Sequence, residues 1–202
     1  MHILNMIRSL STAFFAAALF CGCLSSPPKA AVNCTLDFHS DAVGRDASAQ
    51  GDFLTSGPVR LSQITVRSPD SGTRLLVLRP DGSVAFDNYN QFAAAPGLLV
   101  RNVAEDALVS SGRFPGVVGS SSGISTPYAM EVNITRLALD CRQEGRRDAF
   151  VALNVMLIDN HKIVSTGFGE ATVPAGDGNY SAAFSKALAQ SLADAIRMLR
   201  KE

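Results

Sequence analysis

The residues best able to do chemistry are the cysteines, Cys21, Cys23, Cys34 and Cys141, and the histidines beyond them, His39 and His161. A thiol can carry a lipid, close a disulfide, bind a metal or act as a nucleophile, and spacing decides among these. No C-x-x-C pair occurs, and neither histidine has a second ligand at metal-binding spacing. G-x-S-x-G, H-E-x-x-H, P-loop and Rossmann fingerprints are also missing. Gly167-Phe168-Gly169-Glu170 lacks the third glycine and the strand-to-helix setting of a phosphate loop. The residue types therefore predict no catalysis, no metal and no cofactor beyond a covalent lipid. His161, beside a turn, is expected to be solvated.

Cys21 and Cys23 sit at the end of a leader. Arg8 gives it a positive start, and Leu10–Phe20 (LSTAFFAAALF) gives an apolar run too short to remain as a membrane span, which needs about 20 residues. The run ends in Leu19-Phe20-Cys21-Gly22-Cys23-Leu24. A small residue directly before cysteine resembles a bacterial lipobox. Gly22 suits the position before the cut and Phe20 does not, so cleavage between Gly22 and Cys23 and lipidation of Cys23 are expected. Leu24 is not the Asp that commonly retains such chains at the inner membrane, so the outer membrane is favoured, with the domain facing the periplasm. There the remaining pair, Cys34 and Cys141, could form a disulfide or stay as two buried thiols.

Arg8 is the one Lys or Arg before Cys23, which leaves 17 basic against 18 acidic residues in the mature chain. With no basic run, nucleic acid is not an expected partner, since that affinity rests on neutralising many phosphates. The expected organisation is a signal peptide (1–22), a lipid-anchored flexible tether (23–33) rich in proline and small residues, and one domain (34–202).

Within that domain, 34–38 alternates as a first strand and 40–56 reads as a polar loop. Val59–Val66 alternates with a shift of phase, and an apolar run to Arg79 enters the Pro80-Asp81-Gly82 turn of a hairpin returning over 83–87. Pro96–Ser111 carries Leu99, Val103 and Ala107 on one helical face, with Pro96 at the first position and Gly112 as the stop. Tyr128–Cys141 slips phase near Thr135–Arg136, which predicts a β-bulge. Phe150–Ile158 is apolar on both faces and predicts a central strand covered on two sides. Gly167 and Gly169 in the next strand mark a bend or a close approach. A last helix from Asn179 bears the stripe Phe184, Leu188, Leu192, Ile196 and Leu199. The sum is α+β: a mixed, largely antiparallel sheet with two helices packed on it, in a single domain.

Thr35-Leu36-Asp37, Gly57-Pro58-Val59-Arg60-Leu61, the block Phe86-Asp87-Asn88-Tyr89-Asn90-Gln91-Phe92-Ala93 and the helix exit Ser111-Gly112-Arg113-Phe114 come in an order that resembles the ABC-type transport auxiliary lipoprotein family, which includes the paraquat-inducible protein C-like lipoproteins. Phe92 stands where that family usually has Trp. The resemblance implies a noncatalytic subunit of an envelope transport system for lipids or other hydrophobic material. Its implied partners are an ABC transporter and a protein with the mammalian-cell-entry (MCE) domain, and a homo-oligomer is compatible with such a conduit. Phe86, Tyr89 and Phe92 are then candidate partner-binding residues; the alternative is that they plug the seam between helix and sheet. The rival function is an envelope or cell-wall assembly lipoprotein that scaffolds or activates a periplasmic protein.

Overall fold

The computed structural model describes residues 32–34, 53–67, 72–176 and 180–201; for 32–34 it describes the backbone alone. Among the described residues the strands are β1 (Val32–Cys34), β2 (Val59–Val66), β3 (Arg74–Leu78), β4 (Val84–Phe92), β5 (Val117–Val118), β6 (Tyr128–Asp140), β7 (Asp148–Asp159) and β8 (Lys162–Pro174). The helices are α1 (Pro96–Ser111) and α2 (Tyr180–Met198). All eight strands join one mixed sheet. The described part of the first strand begins at Val32, two residues before the sequence predicts, and the rest of the expected strand, 35–38, lies outside the described residues.

β6 is the axis of the sheet. Along one edge it pairs antiparallel with β7 over its whole length, and β7 pairs antiparallel with β8. Along the other edge β2 and β3 lie end to end, both parallel to β6, at Tyr128–Ile134 and Ala138–Asp140. β4 folds back antiparallel on β3, and β1 adds to β4 in parallel, with Val32 opposite Asn90 and Cys34 opposite Phe92.

The turns follow from their residues. At Arg79–Ser83 the Gly82 N–H donates to the Arg79 carbonyl and Gly82 takes φ 78°, which only glycine adopts freely. Asn160 and His161, between β7 and β8, both have positive φ (43° and 68°), the backbone of a tight hairpin turn whose twist matches its strands. The phase slip in β6 is a register shift between Ile134 and Arg136. It lets Met130, Val132 and Ile134 face the same core as Leu137 and Leu139. A similar shift between Leu61 and Gln63 accounts for the change of phase in β2.

Both helices pack on one face of the sheet. Val100, Val103, Ala104, Ala107 and Leu108 of α1 join Phe184, Leu188, Leu192 and Ile196 of α2 and the inward residues of β2, β6 and β7 in one cluster. α1 starts at Pro96 and stops at Gly112, whose left-handed φ of 63° turns its N–H onto the Val109 carbonyl. α2 lies unusually close to β8. A Cβ built on Gly169 would fall 1.7 Å from the Ser191 carbonyl oxygen, and one on Gly167 would fall 1.9 Å from that of Ala195. The glycines mark a close approach of helix backbone to strand backbone. The Ser191 hydroxyl donates across the same seam to the Val151 carbonyl at 3.0 Å.

One expectation is corrected. β7 is apolar on both faces but covered on one. Ala149, Val151, Leu153, Val155 and Leu157 are buried under the helices, while Phe150, Ala152, Asn154, Met156 and Ile158 are half-buried on the opposite face. Among the described elements no helix covers that face. Its packed part is a small cluster of Leu76, Leu78 and Ala138 with Phe86 and Phe150 beside them.

Candidate docking surface

The open face carries part of the aromatic block. β3 and β4 pair at Leu76 with Phe86 and again at Arg74 with Gln91, so Asp87–Asn90 is looped out of the ladder as a four-residue bulge facing one residue of β3. Asp87 holds the bulge. Its Oδ1 accepts the N–H groups of Tyr89 and Asn90, each at 2.7 Å, and the Asn90 Nδ2 at 3.1 Å. An aspartate that bonds backbone two and three residues on is the usual way to fix such a turn. The result presents Tyr89, 48% exposed, beside a recess lined by Arg74, Asn88 and Gln91.

The three candidate aromatics therefore separate. Phe92 is buried at 2% exposure and meets the Phe184 ring edge-on, with centroids 5.6 Å apart and planes at 75°. It plugs the seam between helix and sheet, and the ring pair adds roughly 0.5–1.5 kcal/mol beyond its buried area. Phe86 lies on the other face, half-buried, under the Arg74 guanidinium at 4.0 Å from the ring centroid. Tyr89 alone is displayed. Farther along the open face Phe168 and Ile163 of the edge strand β8 are 56% and 61% exposed. Neither stands out in the sequence, because an exposed apolar side chain in an alternating strand looks like any core residue.

Among the described residues the candidates for chemistry stand apart from one another. His161 occupies the exposed tip of the β7–β8 turn. His39, Gly22 and Cys23 lie outside the described residues. Among the described residues no group of three or more His, Cys, Asp or Glu is placed to hold a metal. An open cleft at the β6–β7 loop is lined by Cys141, Glu144, Arg146, Arg147 and Asp148. Two of its arginines are engaged: Arg146 pairs with Asp148 at 2.9 Å, and Arg147 donates to the Tyr180 hydroxyl at 3.0 Å. Burial pushes the Cys141 thiol above its ordinary pKa, against a smaller opposing pull from Arg147. Cys141 is a free thiol. It follows β6, whereas Cys34 ends β1, and the order β1-β4-β3-β6 puts three strand spacings between them. At about 4.8 Å per spacing that is roughly 14 Å, more than the roughly 7 Å a disulfide can span. The Cys34–Cys141 bridge is not made in this arrangement.

Comparison with known proteins identifies a shared fold. A Xanthomonas campestris protein, XCC0632, described under the family DUF330, superposes with a TM-score of 0.67 at 15% identity, covering 83% of this chain and 95% of its own. A PelC dodecamer of Paraburkholderia phytofirmans matches with a TM-score of 0.40 at 16% identity, over 70% of this chain and 93% of that one. A candidate lipoprotein of Caulobacter crescentus matches with a TM-score of 0.31 at 20% identity, over 50% of this chain and 74% of that one. The last two scores are too low to carry a structural argument. No family model matches the chain. No curated protein matches it either. The expected membership of the ABC-type transport auxiliary lipoprotein family is corrected accordingly: the likeness is to a protein described under DUF330, and at this identity it establishes a fold and no function.

Arg113 is the residue of the helix exit whose role sequence reasoning missed. Its guanidinium reaches across to the end of α2 and donates to the carbonyls of Ile196, Arg197 and Leu199 at 2.5, 2.9 and 3.1 Å. Such a cation satisfies the free carbonyls of a helix C-terminus and complements its dipole. The signal was a lone Arg after a helix stop, whose partner stands 83 residues away and has no local pattern.

Proposed function

We propose that this chain is a noncatalytic envelope lipoprotein, held by a lipid on Cys23 at the outer membrane, that acts as a docking subunit of a transport system for lipids or other hydrophobic material. The observation that carries this reading is the asymmetry of the sheet. One face is sealed by two helices; the other leaves Phe150, Met156 and Ile158 half-buried and Phe168, Ile163 and Tyr89 exposed. Aromatic and apolar side chains on a rigid sheet are what an interface centre requires. The engaged arginines of the β6–β7 cleft, and the exposed tip position of His161, support contact rather than reaction.

An MCE-domain protein and an ABC transporter are the partners of this reading, and a homo-oligomer is compatible with it. The full-length protein, extracted from envelopes in mild detergent and isolated by an affinity tag, is expected to bring down an MCE-domain protein and phospholipid. Phe168→Ala with Ile163→Ala should reduce that recovery at least tenfold while the melting temperature stays within about 2 °C, since both side chains are exposed. Recovery of a cell-wall assembly protein with no permease and no lipid would replace transport with the scaffold reading. Loss of membrane fractionation in Cys23→Ala is the accompanying test of the anchor.

A further inference from the structure

The two strands that share one edge of β6 do not meet. β2 ends its pairing at Val66 opposite Ile134, and β3 begins its pairing at Leu76 opposite Ala138, which leaves a gap in the strand pairing beside the β6 bulge. Three arginines surround the gap on the open face. Arg136 sits in the bulge, two residues before Ala138 of the open-face cluster. Arg74 begins β3 and lies over Phe86, a member of the same cluster. Arg67 follows Thr65 by two residues, and Thr65 bonds Asn133 on that face; the Arg67 N–H donates to the Ile134 carbonyl at 2.7 Å. Among the described residues none of the three is in a salt bridge, in contrast to Arg142, Arg146 and Arg197.

Among the described residues the nearby acids are turned elsewhere. Asp87 is turned onto its own bulge. Glu170 lies two strands from Arg136, across Ala152, and Asp140 is held by Arg142. Arg74 also shares a recess with Tyr89. The chain arriving from the anchor enters at the same corner: Val32 and Asn33 pair with Asn90 and Gln91, and Gln91 pairs with Arg74. Val32 is nine residues beyond Cys23, a contour of at most about 30 Å. A lipid on Cys23 would therefore bring this corner within reach of the bilayer surface.

We propose that the Arg67, Arg74 and Arg136 corner, with Tyr89 beside it, rests on the phosphate headgroups of the bilayer that holds the anchor. This rests on the reading of Cys23 as the lipidated residue. Guanidinium groups pair bidentately with phosphate, and tyrosine suits the headgroup layer because its ring is apolar and its hydroxyl polar. Each cation near an anionic surface is worth about fivefold in occupancy, so three give about a hundredfold. The domain would then stand in one orientation, with the rest of the open sheet face turned along the membrane toward partners.

The chain has no tryptophan, so Tyr89→Trp gives a single reporter. The full-length lipidated protein is placed in vesicles of phosphatidylethanolamine and phosphatidylglycerol whose acyl chains carry bromine near the headgroup. Strong quenching of the reporter is expected, relieved by 0.5 M salt (roughly a 4 Å screening length). Quenching should also disappear in the triple Arg→Glu variant, and in a triple Arg→Gln variant that carries less risk to folding; unchanged far-ultraviolet dichroism verifies both. A protein that floats with the vesicles but is not quenched, or whose quenching survives both triple variants, overturns the docking and leaves the anchor standing. Failure to float at all removes the anchor and overturns both.

Discussion

Arg113→Ala tests the tertiary joint between the two helices. α2 ends without a left-handed glycine cap, and the Arg113 guanidinium takes three of its terminal carbonyls, those of Ile196, Arg197 and Leu199. Hydrogen bonds to a charged group contribute about 1.5–3 kcal/mol each when partly buried. The three share one side chain and the Arg197 carbonyl is solvent-facing, so they do not add; about 3 kcal/mol is the expected loss. For a domain of this size that is a fall in melting temperature of about 6–12 °C. Arg113→Lys keeps the charge near the helix end but replaces a planar fork with a point donor, and should recover less than half of the loss. Thermal unfolding of both variants gives the magnitudes. Amide exchange then shows where the loss arises: protection should fall in the last turn of α2 before it falls in β6 or β7. A melting temperature for Arg113→Ala within about 1 °C of the parent would mean that water caps α2 equally well, and the reasoning would be refuted.

Two further outcomes follow from single sites. Gly169→Ala places a methyl group 1.7 Å from the Ser191 carbonyl oxygen, so α2 must lift from β8; a loss above about 3 kcal/mol or failure to accumulate is expected, whereas Gly123→Ala, with open space around it, should be neutral within about 0.5 kcal/mol. Cys141 should label with a maleimide in the folded protein without any reductant, because its thiol is free. Burial raises its pKa, which lowers the thiolate fraction at neutral pH, so the rate should be slower than for an exposed thiol and should keep climbing with pH beyond the point where an ordinary thiol levels off. Labelling that requires prior reduction would restore the disulfide.

What could be read in the sequence was whatever repeats locally. The stripes of α1 and α2, the Pro80-Asp81-Gly82 turn, the Gly112 stop and the bulge at Thr135–Arg136 each depend on residues within one or two turns of one another, and each stands in the structure where its residues place it. The close approach at Gly167 and Gly169 could also be anticipated, because glycine in a strand has few other uses. Pairing over long separations could not. Phe92 and Tyr89 are three residues apart and belong to the same motif, yet one meets Phe184 in the core and the other stands in solvent. The difference is made by the Asp87 bulge, whose extent is set by how β3 and β4 pair. Arg113 and the three arginines of the open face were invisible for the same reason: their partners or neighbours come from other strands or from the far end of the chain.

The misreading of β7 is the most informative of the differences. Its sequence, apolar at nearly every position, describes a strand covered on both sides, and the structure covers one. A strand that normally met water on one face would be expected to alternate, as β8 largely does with Thr166, Glu170 and Thr172. β7 instead keeps Phe150, Met156 and Ile158 on the uncovered side, next to Phe86 from β4 and level with Phe168 from β8. Exposed apolar area on this scale costs solubility and invites aggregation, so it is retained where a partner or a membrane makes use of it. The mismatch between a two-faced core sequence and a one-faced core among the described residues fits the docking proposed for this face. That docking does not have to be uniform. At the gap between β2 and β3 the face turns basic, while toward Ile163 and Phe168 it is apolar, so the two regions suit different surfaces: headgroups at the tether corner, and protein beyond it.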